Sequence, residues 1–391
     1  METITVGQLL EAVHGTLLGG SQDMELTVSG VDTDSRDIHP SSLFIPLVGE
    51  RFDGHAYITS ALEAGAAGCL TARVRTDYRE DKFYIQVGNT ERALRDLAAW
   101  YKDRFQIPFV GITGSVGKTT AKDMIAAVLS VKYKVLKTEG NFNNNIGLPL
   151  TLLRLDHTHQ VGVLEMGMDK PGEIDYLSDI VRPEVGVITN IGDAHIEKLG
   201  SRENIFKAKG ELLPNVRKEN ADDPMLTTLR GNTPVQAVFC GKAEDADYRA
   251  QVTGGDGVSH IHCHITTPKM ERDVKIPALG EHMIYPTLIA AAVGEHFGLT
   301  PDEIEDGIAR FVPTRMRMNV IQREGEITIL DDSYNANPQS MRAAISVLAD
   351  THSSWKVAIL GDMFELGPYA PALHAGVGDY LGKRGIDCLV A

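Results

Sequence analysis

The stretch that most constrains this chain runs from Ile107 to Val131 and reads IPFVGITGSVGKTTAKDMIAAVLSV. Its apolar start, Phe109 to Ile112, reads as a buried parallel strand. The chain then turns through Thr113, Gly114, Ser115, Val116, Gly117, Lys118, Thr119 and Thr120. Met124, Ile125, Val128 and Leu129 follow at helical spacing. A strand, a glycine loop, Lys-Thr and a helix make a phosphate cradle. Glycines let backbone N–H groups wrap phosphate oxygens, and the helix N-terminus adds the positive end of its dipole. In such a loop Lys118 reaches the terminal phosphates and the Thr119 hydroxyl holds Mg²⁺. The pattern is the compact TGxxGK[ST] form, with Ile112 where the longer form carries its first glycine.

At 391 residues the chain has room for two or three domains, and its 43% apolar content can furnish their cores. A formal net charge of −15 argues against nucleic-acid or polybasic membrane binding. Anionic small substrates stay compatible, because a local cationic site overrides the mean charge. Cys69, Cys240, Cys263 and Cys388 show no CxxC spacing and read as reduced thiols. The N-terminal METITVGQLLEAV reads as a short amphipathic helix with acids, not as a secretory leader. No apolar run reaches the roughly 20 residues that span a bilayer.

Residues 1–106 read as a small α/β region, with strands at Leu26–Val31, Leu43–Leu47 and Phe83–Val87 and helices at Ala56–Ala66 and Glu91–Arg104. Ser35 and Arg36, in the loop DTDSR, suit either a phosphate-bearing ligand or a plain surface turn. Residues 107–313 repeat one theme, apolar strands ending in polar residues. In open α/β sheets that edge binds ligands. Val161–Leu164 ends in Glu165, a natural Mg²⁺ partner beside a phosphate loop. Val185–Ile188 leads to TNIGDAH, where His195 is either a metal ligand or an ordinary loop histidine.

Asn141, Asn143, Asn144 and Asn145 crowd one short loop, which reads as a polar turn or a sugar- and peptide-binding surface. Lys209 lies on a helical stretch, NIFKAKGELL. Residues 235–276 read as antiparallel strands, and His260, His262 and His264 alternate along one of them. That face is either a metal site or, more plainly, a solvated strand surface. Residues 314–391 alternate strands and helices, as in a parallel doubly wound sheet.

Taken in order, TGSVGKTT, EGNFNNNIGLPLTLL, LEMGMDKPGEI, TNIGDAH, AKGEL, RMRM and DDSYNANPQSM resemble the motifs of the Mur ligases, and most closely of their D-alanyl-D-alanine-adding branch. The resemblance covers essentially the whole chain. It implies a three-domain α/β architecture. An N-terminal UDP-substrate domain (1–106) would precede a central P-loop ATPase-like domain with a parallel or mixed sheet (107–313). A Rossmann-like ligase domain (314–391) would follow, cut short relative to the family.

The implied reaction is ATP-dependent ligation of D-alanyl-D-alanine to UDP-N-acetylmuramoyl-tripeptide through an acyl phosphate. It would run in the cytoplasm on a monomer, with ATP and one or two Mg²⁺ and no nucleic-acid or membrane partner. Carried over by motif, Ser35, Arg36, Asn143 and Asn144 face the UDP-muramoyl peptide. Thr113 to Thr120, Arg315, Asp332 and Asn337 form the ATP site. Thr119, Glu165 and His195 hold metal, and Lys118, His195, Lys209 and Arg315 serve the chemistry. Lys209 matches a lysine that some relatives carry as a carbamate.

Several positions depart from the family pattern. Met283 and Pro286 stand in the stretch that usually reads GxHNxxN on the adenine side, and Thr314 stands where a glycine often precedes the arginine. The stretch Val216–Asp223 is shortened, with no strand expected before NADDP. Two alternatives stay open. One is another amide ligase of the superfamily, resembling folylpolyglutamate synthase (FPGS). The other is a nucleotide-binding protein without turnover.

Overall fold

The structure is a computed structural model and describes residues 1–216, 218–220, 225–230, 236–323 and 327–391. Two compact units emerge. One is Met1–Ile107 with Thr138–Gln160, and the other is Pro108–Lys137 with Val161–Ala391. The asparagine-rich loop therefore packs with the N-terminal residues, although its sequence position lies beyond the phosphate loop.

In the first unit a five-stranded sheet runs in the order Thr16–Leu17, Phe83–Gln86, Gly68–Thr71, Ser42–Phe44, Gly30–Asp32. All neighbours are parallel except the Thr16–Leu17 edge. The single strand expected at Leu26–Val31 divides instead. Thr27–Val28 pairs with Ile4–Thr5, and Gly30–Asp32 joins the larger sheet. The N-terminal helix is shorter than its sequence suggests, Val6–Val13, because Thr5 and Gln8 close a capping box that fixes its start. Helix Thr90–Lys102 buries Leu94, Leu97, Ala98 and Tyr101. The Tyr101 hydroxyl donates to Leu155 O at 2.7 Å and accepts from Glu2 N at 2.7 Å, tying the returning segment to this unit.

The second unit is built on a parallel sheet in the order Val185–Ile188, Phe109–Thr113, Val161–Glu165, Val135–Lys137. Register sets Glu165 against Ile112 and Ile188 against Thr113, so the carboxyl ends of three strands stand level. That places the loop, Glu165 and the 189–195 segment on one edge, as the strand-end pattern predicts. Helix Lys118–Leu129 covers the sheet and buries Met124, Ile125, Val128 and Leu129. Each such side chain stabilises the fold by about 1.5–3 kcal/mol on burial. A Cβ on Gly307 would stand 2.4 Å from Val128 Cα, so only glycine lets helix Pro301–Ala309 come this close.

The expected antiparallel strands are present as Tyr248–Gly255, Ile261–Thr266 and Glu271–Ile276, beside Cys240–Gly241. Pro286 does not break its helix. It is the third residue of Ile284–His296, where backbone N–H groups lack intrahelical partners anyway. A strand, Lys218–Asn220, does precede NADDP, while Arg217, Ala221, Asp222, Asp223 and Pro224 lie outside the described residues.

Beyond Thr314, Asn319–Arg323 and Ile327–Asp331 form an antiparallel pair, and Val357–Ile359 pairs in parallel with Cys388–Val390. Helices Pro338–Asp350 and Ala370–Gly382 intervene. No helix among the described residues is long and apolar enough to cross a membrane.

Candidate active site

The loop owes its shape to two glycines and one neighbouring segment. Gly114 has φ 145°, and a Cβ there would meet Thr189 Oγ1 at 1.9 Å. Gly117 has φ 83° and opens the helix Lys118–Leu129, with nothing within 4 Å of a Cβ placed on it. Ser115 N donates to Asn190 O at 3.0 Å, and Val116 N donates to Asn190 Oδ1 at 3.1 Å. Val116 O accepts from Thr189 Oγ1 at 2.6 Å and Asn190 Nδ2 at 2.9 Å, and Gly192 N donates to Ser115 Oγ at 2.9 Å. The amides of Ser115 and Val116 are thus spent on Asn190. The N–H groups opening the helix, from Lys118 through Thr120, are the ones that face outward for an anion. Thr113 Oγ1 is buried with no hydrogen-bond partner, a polar atom left over at the foot of the loop.

Lys118 Nζ donates to Gly114 O at 2.9 Å, folding the side chain over the loop. Burial pushes its ammonium below the ordinary lysine range, the Glu165 carboxylate opposes this, and the Arg317 guanidinium adds to it. Thr119 Oγ1 donates to Glu165 Oε2 at 2.9 Å, and both side chains are buried. A hydroxyl beside a carboxylate at a strand end is an all-oxygen donor set, the kind that Mg²⁺ takes. Lys209, on helix Arg202–Gly210, is only 1% exposed, with no carboxylate within ion-pair distance among the described residues. Burial, and secondarily the Lys118 charge, hold its ammonium well below the ordinary lysine range. A lysine shifted in this direction gives up its proton more readily than an exposed one.

His195 adopts a left-handed backbone, φ 63°, and begins helix Ile196–Leu199. Its Nδ1 lies 2.6 Å from Glu365 Oε2 and 3.6 Å from Asp169 Oδ1 but makes no well-directed hydrogen bond. The three residues can offer one ligand atom each within 4.8 Å of one another. Burial lowers the imidazole pKa, Glu365 opposes this, and Lys209 and Lys118 reinforce it. The neutral ring is the form that binds metal. Lys198 Nζ reaches both carboxylates, at 3.2 Å and 3.3 Å.

Asp169 and Glu365 were missed in the sequence. Asp169 sits four residues past Glu165 in a loop, and Glu365 lies within residues 314–391, read only as alternating strands and helices. Their one signal is an acid shortly after a strand end. Glu197 N also donates to Glu365 O at 3.2 Å, holding that segment against the His195 helix.

Arg315 is exposed and makes no polar contact among the described residues. Arg317, two residues on, stacks over Tyr334 at 4.0 Å, and its charge acts on both Lys118 and Asp332. Asp332 accepts from Met318 N at 3.1 Å, and burial raises its pKa to about 6. Asn337 spends its side-chain oxygen capping helix Pro338–Asp350, accepting from Gln339 N at 3.0 Å and Ser340 N at 2.9 Å. Gln339 approaches the loop more directly, with Oε1 2.7 Å from where a Cβ on Gly192 would lie and Ser115 Cβ 3.3 Å from that same point.

The candidate substrate residues lie in the first unit. Arg36 is exposed and folds back on Asp34, with Nη2 2.6 Å from Oδ2. Ser35 is half-buried beside it. Asn144 Oδ1 accepts from Ile146 N at 3.1 Å and Gly147 N at 2.8 Å, shaping the turn into helix Gly147–Leu152, and Asn143 N donates to Asn141 O at 2.7 Å. A pocket of about 390 Å³ in this unit is lined by Val31, Asp32, His39, Leu150 and Arg154 among others, and by none of those four.

Family models match three stretches: "Mur ligase family, catalytic domain" over residues 27–102, "Mur ligase middle domain" over 112–294, and "Mur ligase, glutamate ligase domain" over 316–391. The chain is 39% identical to UDP-N-acetylmuramoyl-tripeptide–D-alanyl-D-alanine ligase of Bacillus subtilis, covering 98% of this chain and 84% of the relative. Its fold matches MurF from Acinetobacter baumannii with a TM-score of 0.92 at 31% identity, covering 100% of this chain and 85% of that one. MurF from Thermotoga maritima, solved with ADP, matches with a TM-score of 0.83 at 28% identity over 93% of this chain and 83% of that one. An FPGS–AMPPCP–folate complex, 17% identical with a TM-score of 0.60 over 73% of this chain and 82% of that one, shares the fold alone.

Proposed function

The chain belongs to the Mur ligase family, and from that premise we propose that it joins D-alanyl-D-alanine to UDP-N-acetylmuramoyl-tripeptide in peptidoglycan precursor synthesis. The observation that carries the reading is the strand-edge constellation. A glycine loop with Lys118 over it stands beside a hydroxyl–carboxylate pair, Thr119 and Glu165. Identity of 39% across nearly the whole chain favours this substrate pair over a folate.

The chemistry explains why such a site is needed. A carboxylate cannot expel oxide. Its oxygen therefore attacks the γ-phosphorus of ATP, ADP leaves, and the product is an acyl phosphate. The amine of D-alanyl-D-alanine then attacks the carbonyl carbon, phosphate departs, and the amine proton is released as the amide forms. Both steps crowd anionic oxygens together, so fixed cations lower the barrier most. Lys118 and the Lys118–Thr120 amides suit the nucleotide phosphates.

Arg317 is better placed than Arg315 to be the clamp from the third region, because its charge already acts on Lys118. Asp332 and Gln339 border the same site, while Asn337 contributes by setting the start of its helix.

The residues present fit a divalent cation. Thr119 and Glu165 supply hard oxygen donors, and His195 with Asp169 and Glu365 supply a second donor set. Mg²⁺, when bound, would neutralise phosphate oxygens. Lys209 suits carbamate formation, since burial favours the free amine over the ammonium and a free amine adds CO₂ and loses one proton to give an anionic group. A ¹³C signal from labelled bicarbonate, present in the parent and lost in Lys209→Arg, checks this.

We further assign residues 1–106 to the UDP substrate, with Ser35, Arg36, Asn143 and Asn144 on its path. Residues 107–313 are assigned to ATP and 314–391 to closure over the nucleotide. All described cysteines are free, in keeping with a protein working in the reducing cytoplasm. The test is phosphate release with ATP, UDP-N-acetylmuramoyl-tripeptide and D-alanyl-D-alanine. Turnover that requires all three supports the assignment. Turnover only with a folate and glutamate, or nucleotide binding with no ligation, overturns it.

A further inference from the structure

Away from the nucleotide edge, the strand Ile261–Thr266 and the turn before it carry a histidine pair that the ligation chemistry does not use. Alternate residues on a strand share a face. Ile261, Cys263 and Ile265 are buried, so His262 and His264 lie on the opposite face with His260 at its end, where the His260 side chain is 16% exposed. His264 is engaged on both nitrogens, with Nδ1 2.9 Å from Asp273 Oδ1 and Nε2 3.4 Å from Glu271 Oε1. The other two histidines face each other, and their Nε2 atoms lie 3.2 Å apart.

The Asp256 turn orients the first ring. Asp256 Oδ1 accepts from the N–H groups of Val258, Ser259 and His260 at 3.0, 2.7 and 3.0 Å, and its Oδ2 lies 2.9 Å from His260 Nδ1. Ser259 Oγ lies 3.1 Å from the same nitrogen. Ser259 Oγ donates its hydrogen to Asp256 Oδ2, so it can only accept from His260 Nδ1–H, which leaves the lone pair of His260 on Nε2 and makes Ser259 and Asp256 the groups behind the ring.

We infer that His260 and His262 form a binding site for a borderline divalent cation such as Zn²⁺, with Ser259, pinned by Asp256, as the group that orients the first ligand. Geometry carries the inference. Two imidazole nitrogens 3.2 Å apart and each about 2.1 Å from one ion subtend about 100° there, between octahedral and tetrahedral angles. Rings aimed radially at that ion would have centroids about 4.9 Å apart, and the observed separation is 4.9 Å. Imidazole donors select Zn²⁺, Cu²⁺ or Ni²⁺ over Mg²⁺, so the site is chemically distinct from the oxygen-rich nucleotide edge. Lys275, the cross-strand partner of His262, is the adjacent cation that works against binding.

The test is calorimetric titration of the full chain with Zn²⁺ in excess Mg²⁺, in a His195→Ala background that removes the His195–Asp169–Glu365 cluster. One Zn²⁺ equivalent should bind, and His262→Ala should lose it or weaken it at least about tenfold. Asp256→Asn, which unpins Ser259, should weaken it by about 10-fold or more, the usual effect of removing a group that supports a ligating histidine. His264→Ala should leave stoichiometry and affinity unchanged. Equal binding in the parent and His262→Ala overturns the proposal, as does equal loss in His264→Ala.

Discussion

Thr119 and Glu165, 46 residues apart in sequence, are joined by a 2.9 Å hydrogen bond from Oγ1 to Oε2. The pairing follows from strand register. Glu165 stands opposite Ile112, and the loop from the end of that strand returns Thr119 to the same level. If the pair supplies the hard-oxygen donors proposed for Mg²⁺, its two halves should fail together. Thr119→Val and Glu165→Gln should each lower kcat/KM about 10²–10³-fold, the range for removing one preorganised electrostatic contact. The double variant should be no worse than about the poorer single one, since residues acting as a unit are non-additive. Phosphate-release kinetics across a Mg²⁺ series checks this, and fully multiplicative losses would contradict it.

Lys118→Ala should abolish measurable ligation while leaving the fold intact. Its ammonium is held over the loop by a single bond to Gly114 O. Removing it takes away a charge whose desolvation opposes stability. Circular dichroism and thermal unfolding should match the parent, and ADP affinity should fall. Undiminished turnover would remove Lys118 from the site.

Arg317 and Arg315 should behave differently. Arg317→Ala should lower kcat/KM for ATP by about 10²-fold, because its charge acts on Lys118 and Asp332. Arg315→Ala, at an exposed position, should change it by no more than a few-fold. Steady-state kinetics of the two variants side by side decide the matter, and the reverse ranking would return the clamp to Arg315.

Gly114→Ala tests the loop's backbone. At φ 145° an L side chain is strained, and its Cβ would collide with Thr189 Oγ1. The conformational strain alone is about 1–3 kcal/mol, so the melting temperature should fall by several degrees and nucleotide binding should be lost. Gly117→Ala meets no neighbour within 4 Å and pays only for its φ of 83°, so its fall should be smaller.

Asp332 gives a pH signature. Burial raises its pKa from 3.8 to about 6. Between those values the folded state holds the proton more than the unfolded one does, so stability falls as pH rises through the window. Asp332→Asn keeps an oxygen for Met318 N and removes the titration. Its melting temperature should approach or exceed the parent's as pH climbs from about 4 to 6, and the difference should then level off. A pH-independent difference would mean that Asp332 is not desolvated in solution.

Much of the shared strand edge was legible because glycine loops of this pattern announce themselves locally. Strand, glycines, Lys118 and Thr119 are contiguous, and Glu165 and His195 follow apolar runs whose ends must share an edge in a parallel sheet. Other features had no local mark. Asn190 looks like one turn residue among several, yet its side chain and backbone brace Ser115 and Val116. Asn337 drew attention by motif, but its oxygen caps a helix. Pro286 is tolerated because the helix starts at Ile284 and holds it in the first turn, a placement with no local mark.

The sequence by itself determined the chemistry available, because residue type and short-range order decide which groups can cradle phosphate, hold a hard cation or act as a nucleophile. Tertiary structure alone decided which of those groups meet. His195 is brought to Asp169 and Glu365, and Arg317 rather than Arg315 acts on Lys118. The physical reason is that electrostatic interaction depends on distance and burial. Both are set by how strands register and helices pack across many residues, and by no property of the neighbouring sequence.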